Sequence, residues 1–178
     1  MAVAIQVAGL CTVQVASSGS LSPLPSLVTL GYTMDGAEIT FNGFFLDVPT
    51  DENGGDAGPP TDVQFMGMTA NIRLQFTKYD ETVMQFCRVR LVGQTVGIPG
   101  LPTASGGYAQ GSVGQLLIGG DYTYRLLLNS PSNPYNFPTA FPRDPENLNR
   151  GTKFSTDVME WYALRGGVGA ALYNVSIT

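Results

Sequence analysis

Two strand-like runs of residues, 36–47 and 62–79, constrain the fold of this chain more than any other feature. In the second run apolar and polar residues alternate, which predicts a strand with one face on a core and one polar face. The apolar set is Ala70, Ile72, Leu74 and Phe76, and the polar set is Thr69, Asn71, Arg73, Gln75 and Thr77. In the first run the apolar positions change parity at Gly43, which predicts a β-bulge there.

The segment between the two runs, residues 48–61, is acidic and rich in glycine and proline. Loops of this length in compact domains are usually functional or disordered, and we interpret this one as an assembly loop that the hairpin extends toward a partner. The residues expected to make contacts between subunits are Pro49, Asp51, Glu52, Asn53, Asp56, Pro59 and Pro60. Oxygen ligands around the glycines of 51–56 suit Ca²⁺, but the spacing and closing glutamate of an EF-hand are missing, so a solvated turn is the better interpretation.

Composition predicts one β-rich domain covering residues 1–178. Apolar residues make up 43% of the chain and charged residues only 13%, which suggests that much of the surface meets protein. With 22 glycines and 12 prolines, the chain has too many turn residues and helix breakers for a helical bundle. No apolar run reaches the length of a membrane span, and the N-terminus lacks the basic segment of a signal peptide, so neither membrane insertion nor secretion by that route is expected.

Charge is unevenly distributed along the sequence. Residues 1–72 contain seven acids and no Lys or Arg, whereas residues 73–178 contain nine bases and seven acids. Without a basic patch the chain is a poor candidate for a protein that binds nucleic acid tightly. Two interpretations of the asymmetry remain: a solvated acidic loop with scattered surface bases, or an acidic loop that meets a basic surface on a neighbouring copy.

The sequence offers little to support catalysis. It contains no histidine, and no nucleophile lies at a spacing that pairs it with a base. The glycines of 166–169 lack the Lys-Ser/Thr ending of a phosphate loop. We therefore predict no enzyme activity, no cofactor and no metal site. The two cysteines, Cys11 and Cys87, are expected to be buried thiols rather than a disulfide.

The rest of the chain completes a mainly β fold. A short helix is predicted at 80–90, with Asp80 as its N-cap. Further strands are predicted at 2–16, 28–34, 115–118 and 122–129, with a turn at 34–36, a loop at 130–150, and a closing hairpin from 153–164 and 170–178. The predicted fold class is an antiparallel β-sandwich or small barrel with a long-loop hairpin and one short flanking α-helix.

This layout resembles the tail tube proteins of long-tailed bacteriophages. The resemblance rests on residues 33–39, 47–54, the strand 70–79 leading into 80–89, and residues 151–154. It implies a virion protein made in the host cytoplasm, which assembles as hexameric rings stacked head to tail, contacts other virion proteins, and lets DNA pass without binding it specifically. By the same resemblance, residues 49–60 would contact the adjacent ring.

A wall for such a DNA channel can be named from the polar faces of the two strands. The candidate lumen residues are Glu38, Thr40, Asn42, Thr69, Asn71, Gln75 and Thr77. Acidic and neutral polar groups would repel phosphate rather than hold it. Arg73 breaks this pattern, so it is expected either to be neutralised by an acid such as Glu38 or to point away. An ordinary solvent-exposed sheet explains the same residues equally well.

Two alternative functions remain open. The chain could be another virion component, either a capsid decoration protein or a head-completion (connector) protein. It could also be a β-sandwich binding module, for instance for carbohydrate, with Trp161, Tyr162, Tyr122 and Tyr124 as an aromatic platform. Aromatic residues on strands more often belong to a core.

Overall fold

The computed structural model describes residues 2–7, 9–17, 27–48, 60, 62–88, 123–131, 134–143, 157–165 and 172–173. The elements in chain order are β1 (Ala2–Val7), β2 (Cys11–Ser17), β3 (Val28–Val48), β4 (Asp62–Tyr79), α1 (Glu81–Arg88), β5 (Tyr124–Asn129), β6 (Tyr135–Pro142) and β7 (Asp157–Ala163). The strand predicted at 115–118 and most of the one predicted at 170–178 lie outside these residues.

Six of the strands close into an antiparallel barrel in the order β3-β2-β5-β6-β7-β4, and β4 pairs back onto β3. Closure gives each of these strands a neighbour on both sides within the barrel. β1 lies outside the ring of six. It pairs with the same edge of β3 as β2 does, but farther along that strand. The prediction of a mainly β fold with one short helix is confirmed, and of its two forms the small barrel is the observed one.

β3 is longer than the sequence predicted. The expected turn at 34–36 is wrong, because β3 continues through these residues as one strand to Val48. Thr33 pairs with Phe76 and Ala37 pairs with Leu74, so 34–36 form a bulge against β4. Gly36 has a φ of 84°, a left-handed conformation that glycine adopts without steric cost.

The N-terminal strand predicted at 2–16 is divided into two. β1 ends where Val7 pairs with Ala37, and β2 begins where Cys11 pairs with Thr33. The break therefore lies opposite the bulge of β3. Gly9, within the break, has a φ of 93°. Since a bulge locally disrupts the ladder of hydrogen bonds, the two irregularities have one structural origin.

The core fills the interior of the barrel. Cross-strand pairing places Ile39 of β3 beside Ile72 of β4, and Ile72 beside Trp161 of β7; all three side chains are buried. Tyr124 of β5 meets Trp161 edge to face, with ring centroids 5.9 Å apart. The predicted core face of β4 is confirmed, because Ala70, Ile72, Leu74 and Phe76 are all buried.

The helix closes one end of the barrel. Asp80 acts as its N-cap, as predicted: its Oδ1 accepts from the backbone N–H of Thr82 at 2.9 Å and of Val83 at 3.2 Å. Val83, Met84 and Cys87 are buried in the barrel core. Because α1 packs against β3 and β6, which lie on opposite sides of the barrel, it covers the opening at the C-terminal end of β4.

The prediction of a loop over 130–150 is wrong, because β6 lies within it. Its two prolines, Pro138 and Pro142, obscured the strand in the sequence. Pro138 falls within the irregular part of the β5–β6 pairing, between the pairs Leu126–Phe137 and Tyr124–Ala140, where a missing N–H disturbs the ladder least. The partner predicted for 153–164 also differs, since β7 pairs with β4 and β6.

Candidate functional site

The hairpin of β3 and β4 extends beyond the barrel. Among the described residues, β1 pairs with β3 as far as Asn42, and the pairing of β7 with β4 begins at Ala70. The two long strands continue to pair with each other through the last register pair, Val48–Asp62. Residues 43–48 and 62–68 thus form a two-stranded arm, which leaves the barrel at the end opposite α1.

The arm carries large apolar side chains in contact with solvent. Seven of them are between 38% and 58% exposed: Phe44, Phe45, Leu46, Val48, Val63, Phe65 and Met66. Single exposed apolar residues are normal on a protein surface, but a contiguous group marks an interaction site. We call this feature the apolar arm.

Both faces of the apolar arm carry large apolar side chains, beside Asp47 on one face and Gln64 and Asp62 on the other. Residues directly opposite in an antiparallel pair point to the same face, and successive residues alternate. Phe45 pairs with Phe65 and Asp47 with Val63, so one face presents Phe45, Phe65 and Val63. The rings of Phe45 and Phe65 lie 5.5 Å apart. The other face presents Phe44, Leu46 and Val48, and we refer to the two as the Phe45 face and the Phe44 face.

The predicted bulge at Gly43 is wrong in position. The register shifts between Phe44 and Phe45, which pair with Gly67 and Phe65, so the extra residue is Met66 of β4. Gly67 has a φ of 139° and accommodates the bulge. The parity change read at Gly43 arises because apolar residues occupy both faces of the arm beyond this point, and the strand itself does not flip.

Sequence reasoning missed the exposed apolar residues on both strands of the arm; it took Phe44, Leu46 and Val48 of β3 as one face of a bulged strand. The prediction placed the partner contacts in the loop 48–61 alone, and it took the strand from 62 as a half-buried one. The sequence signal was available: residues 63–66 are mostly apolar and do not alternate. Such a run fits a fully buried strand equally well, so only the exposed position of these residues reveals their role.

The predicted lumen residues lie together on the outside of the barrel. Register pairs join Thr40 to Asn71 and Asn42 to Thr69, and Glu38 pairs with Arg73. Gln75 and Thr77 continue the same exposed face of β4. The structure therefore brings the predicted set into one patch, the polar face, made of Glu38, Thr40, Asn42, Thr69, Asn71, Arg73, Gln75 and Thr77.

Arg73 has an ionic partner that the sequence prediction did not include. Its Nε lies 4.0 Å from Oε1 of Glu160 on β7, and Glu38 is its register partner on the other side, on β3. Both members of the ion pair are about half exposed, with side-chain exposures of 60% and 48%. An exposed pair of this kind contributes about 0–1 kcal/mol to stability, so its main effect is on the charge of the polar face.

Most of the predicted assembly loop falls outside the described residues. This applies to Pro49, Asp51, Glu52, Asn53, Asp56 and Pro59, whereas Pro60 is described and exposed. Within the described part of the chain, no three His, Cys, Asp or Glu side chains are grouped as metal ligands would be. None of the helical residues described there form a segment long and apolar enough to cross a lipid bilayer.

The aromatic platform of the alternative binding module does not form. Trp161 and Tyr124 are buried in the barrel core, which removes half of the proposed surface. Tyr122 lies outside the described residues. Tyr162 is half-buried on the outer side, where it meets Phe141 at 5.7 Å and lies under the guanidinium of Arg143 at 5.0 Å.

Both cysteines are buried, as predicted, and neither is in a disulfide. Burial raises the pKa of the Cys11 thiol to about 11. A thiol that stays protonated at neutral pH is a poor nucleophile and a poor metal ligand. Cys11 therefore acts as a small apolar residue of the core.

Neither a scan against protein-family models nor a search of the curated proteins found a match to this chain. The candidate functional site consists of the apolar arm and the polar face.

Proposed function

We propose that this chain is a structural virion protein that assembles into rings, which stack into a phage tail tube for the passage of DNA. The observation that supports this most is the apolar arm, whose exposed side chains lie on a two-stranded ribbon held away from the barrel core. Solvent-exposed apolar surface of this extent is best covered by protein. The low charged fraction of 13% agrees with a surface that is largely covered in an assembly.

The position of the arm suits self-assembly. It leaves the barrel at one end while α1 closes the other, so the two ends of each subunit differ. Contacts between unlike surfaces of identical subunits are heterologous, and they generate closed rings or open filaments. Head-to-tail stacking of rings is an arrangement of this kind. The tip loop, residues 49–60, connects the strands of the arm and would contact the adjacent ring.

The polar face would form the channel wall. Its side chains are neutral apart from Glu38 and Arg73, and the charge of Arg73 is offset by Glu160. A surface of this kind gives phosphate no cationic groups to hold, as a conduit requires. A capsid decoration or head-completion protein would share the assembly contacts but not the need for a neutral channel.

The proposal can be tested by measuring the size and shape of the particles that the purified protein forms. Sedimentation velocity and negative-stain microscopy should show rings or tubes with an open centre. A chain that stays monomeric over the whole accessible concentration range would overturn the proposal, and attachment only to capsids would favour the decoration function. Replacing residues 49–60 by Asn-Gly, a turn on which hairpins close readily, should leave the barrel folded and prevent the stacking of rings.

A further inference from the structure

The apolar arm has two faces of similar size, and one flat surface can cover only one of them. The Phe45 face presents Phe45, Phe65 and Val63 at 57%, 52% and 49% exposure, and the Phe44 face presents Phe44, Leu46 and Val48 at 51%, 53% and 38%. Because the faces lie on opposite sides of the same ribbon, they require separate covering surfaces.

The two faces together expose an apolar area somewhat smaller than one partner's share of a standard interface. An aromatic side chain covers roughly 150–250 Å², so half-exposed side chains leave roughly 100 Å² each, or on the order of 600 Å² for the six apolar side chains of the two faces. This is at the upper limit of about 300–600 Å² for the largest apolar patch on a typical monomer. It also approaches the roughly 800 Å² that one partner contributes to a standard protein–protein interface. Neither face alone reaches that size.

Charge favours the barrel of another copy as the covering surface over a second arm. Residues 47–62, which form and join the outer parts of the arm, contain five acids and no base. The formal net charge of the whole chain is −5, so the remainder of the chain is formally neutral. Two arms side by side in the same direction would bring like charges together, whereas an arm against a neighbouring barrel would not.

We infer that each apolar arm lies between two other copies of this chain, with the barrel of one covering the Phe45 face and the barrel of the other covering the Phe44 face. This inference rests on the proposed self-assembly, and it adds how many neighbours each arm contacts. A two-fold dimer is then insufficient, because it would leave one apolar face exposed in every subunit. Every subunit contacts two neighbours through its own arm, and assembly proceeds beyond the dimer.

Two matched double variants test the inference. Phe45→Thr with Phe65→Thr removes the aromatic groups of one face, and Phe44→Thr with Leu46→Thr changes the other. Threonine favours strand structure, so the arm should keep its backbone. The control is Asp35→Thr with Lys78→Thr, which makes the same number of changes at exposed positions of the same two strands, outside the arm and the polar face, and leaves the net charge unchanged. Sedimentation velocity over a concentration series measures association, and circular dichroism confirms the barrel.

Each arm variant should weaken association by roughly a hundredfold, since buried aromatic and large apolar anchors dominate interface energies. The control should assemble as the unmodified chain does. If one arm variant assembles normally, the two-neighbour inference is overturned while the proposed function stands. A monomeric unmodified chain overturns both, and its binding to neutral lipid vesicles would identify lipid as the occupant instead.

Discussion

The ring of Phe45 lies directly over the backbone of Gly43. A Cβ atom at Gly43 would come within 2.8 Å of Cε2 of Phe45, closer than real Cβ contacts occur. Glycine at this position therefore lets the Phe45 ring fold back along its own strand while it contacts Phe65 on the partner strand. The apolar surface of the arm therefore depends on glycine at position 43 as well as on the aromatic side chains.

Gly43→Ala should change the surface of the arm without unfolding the barrel. The added methyl group meets the free end of an exposed side chain, which can rotate away, so we expect the free energy of unfolding to change by no more than about 0.5 kcal/mol. Association should weaken several-fold because the Phe45 ring leaves its position beside Phe65. Urea unfolding and sedimentation velocity measure the two effects. In a Phe45→Ala background the substitution at Gly43 should have no further effect on association, and an undiminished effect there would refute this explanation.

Gly31→Ala should instead lower the stability of the barrel and leave the surface of the arm unchanged. A Cβ at Gly31 would lie 2.6 Å from the carbonyl oxygen of Lys78 and 3.0 Å from Cα of Tyr79. These are backbone atoms held in place, because the N–H of Asp80 donates to the carbonyl of Leu30 at 2.9 Å where the helix begins. We expect a loss of about 2–3 kcal/mol in the free energy of unfolding. Calorimetry should show a melting temperature lower by roughly 5–10 °C. A melting temperature equal to that of Gly43→Ala would contradict this account.

The pKa of Cys11 predicts how stability changes at high pH. Burial holds the pKa of this thiol at about 11, whereas an unfolded chain releases the same proton near pH 9. Between these values the unfolded state binds fewer protons, so stability falls as pH rises through this window. Urea unfolding from pH 8 to 10.5 should show a steeper decline for the unmodified chain than for Cys11→Ala, which has no thiol at this position. Equal slopes would mean that the thiol ionises in the folded barrel as it does in the unfolded chain.

The sequence predicted those features that a local pattern determines. Strict alternation at 70–76 identified the core face of β4, and the carboxylate of Asp80 identified the helix start, because both depend on neighbouring residues. The strand β6 was hidden by its prolines, since their tolerance depends on where the pairing with β5 is irregular. The partner of Arg73 could not be predicted, because Glu160 follows 87 residues later in the sequence and is brought beside Arg73 only by the register of β7.

In the candidate site, too, local features could be predicted from the sequence and features set by distant contacts could not. The parity change at Gly43 marked the place where the arm begins, whereas the expectation from composition that protein covers much of the surface stays a prediction. Whether an apolar residue is buried or exposed depends on where the barrel ends, which is set by the last pairs of β1 and β7 with the long hairpin. No pattern within 62–68 contains that information. For this reason the sequence prediction placed the partner contacts in the acidic loop and did not include the exposed strands of the arm.

The ionic environment of Arg73 gives the most direct test of the channel. Arg73 lies between Glu38 and Glu160, so this row across β3, β4 and β7 carries a net charge of −1. Changing both acids to glutamine makes the row +1 in every subunit. Because the Arg73–Glu160 pair is half exposed, its loss should cost little stability, and assembly through the arm should be unaffected.

If the polar face lines a channel as proposed, the unmodified assembly should show no measurable affinity for DNA at physiological salt, because Arg73, the one cation of that face, is paired with Glu160. The Glu38→Gln, Glu160→Gln assembly should bind DNA in fluorescence anisotropy, and its affinity should fall as salt is raised. Glu160→Gln alone and Glu81→Gln, at the first turn of α1, each remove one negative charge, so Glu81→Gln is the charge control for that single variant. If that control gains DNA binding equally, the effect is one of net charge and the polar face does not line the path of DNA. Tight binding by the unmodified assembly would exclude a conduit altogether, since a channel that holds its cargo cannot release it.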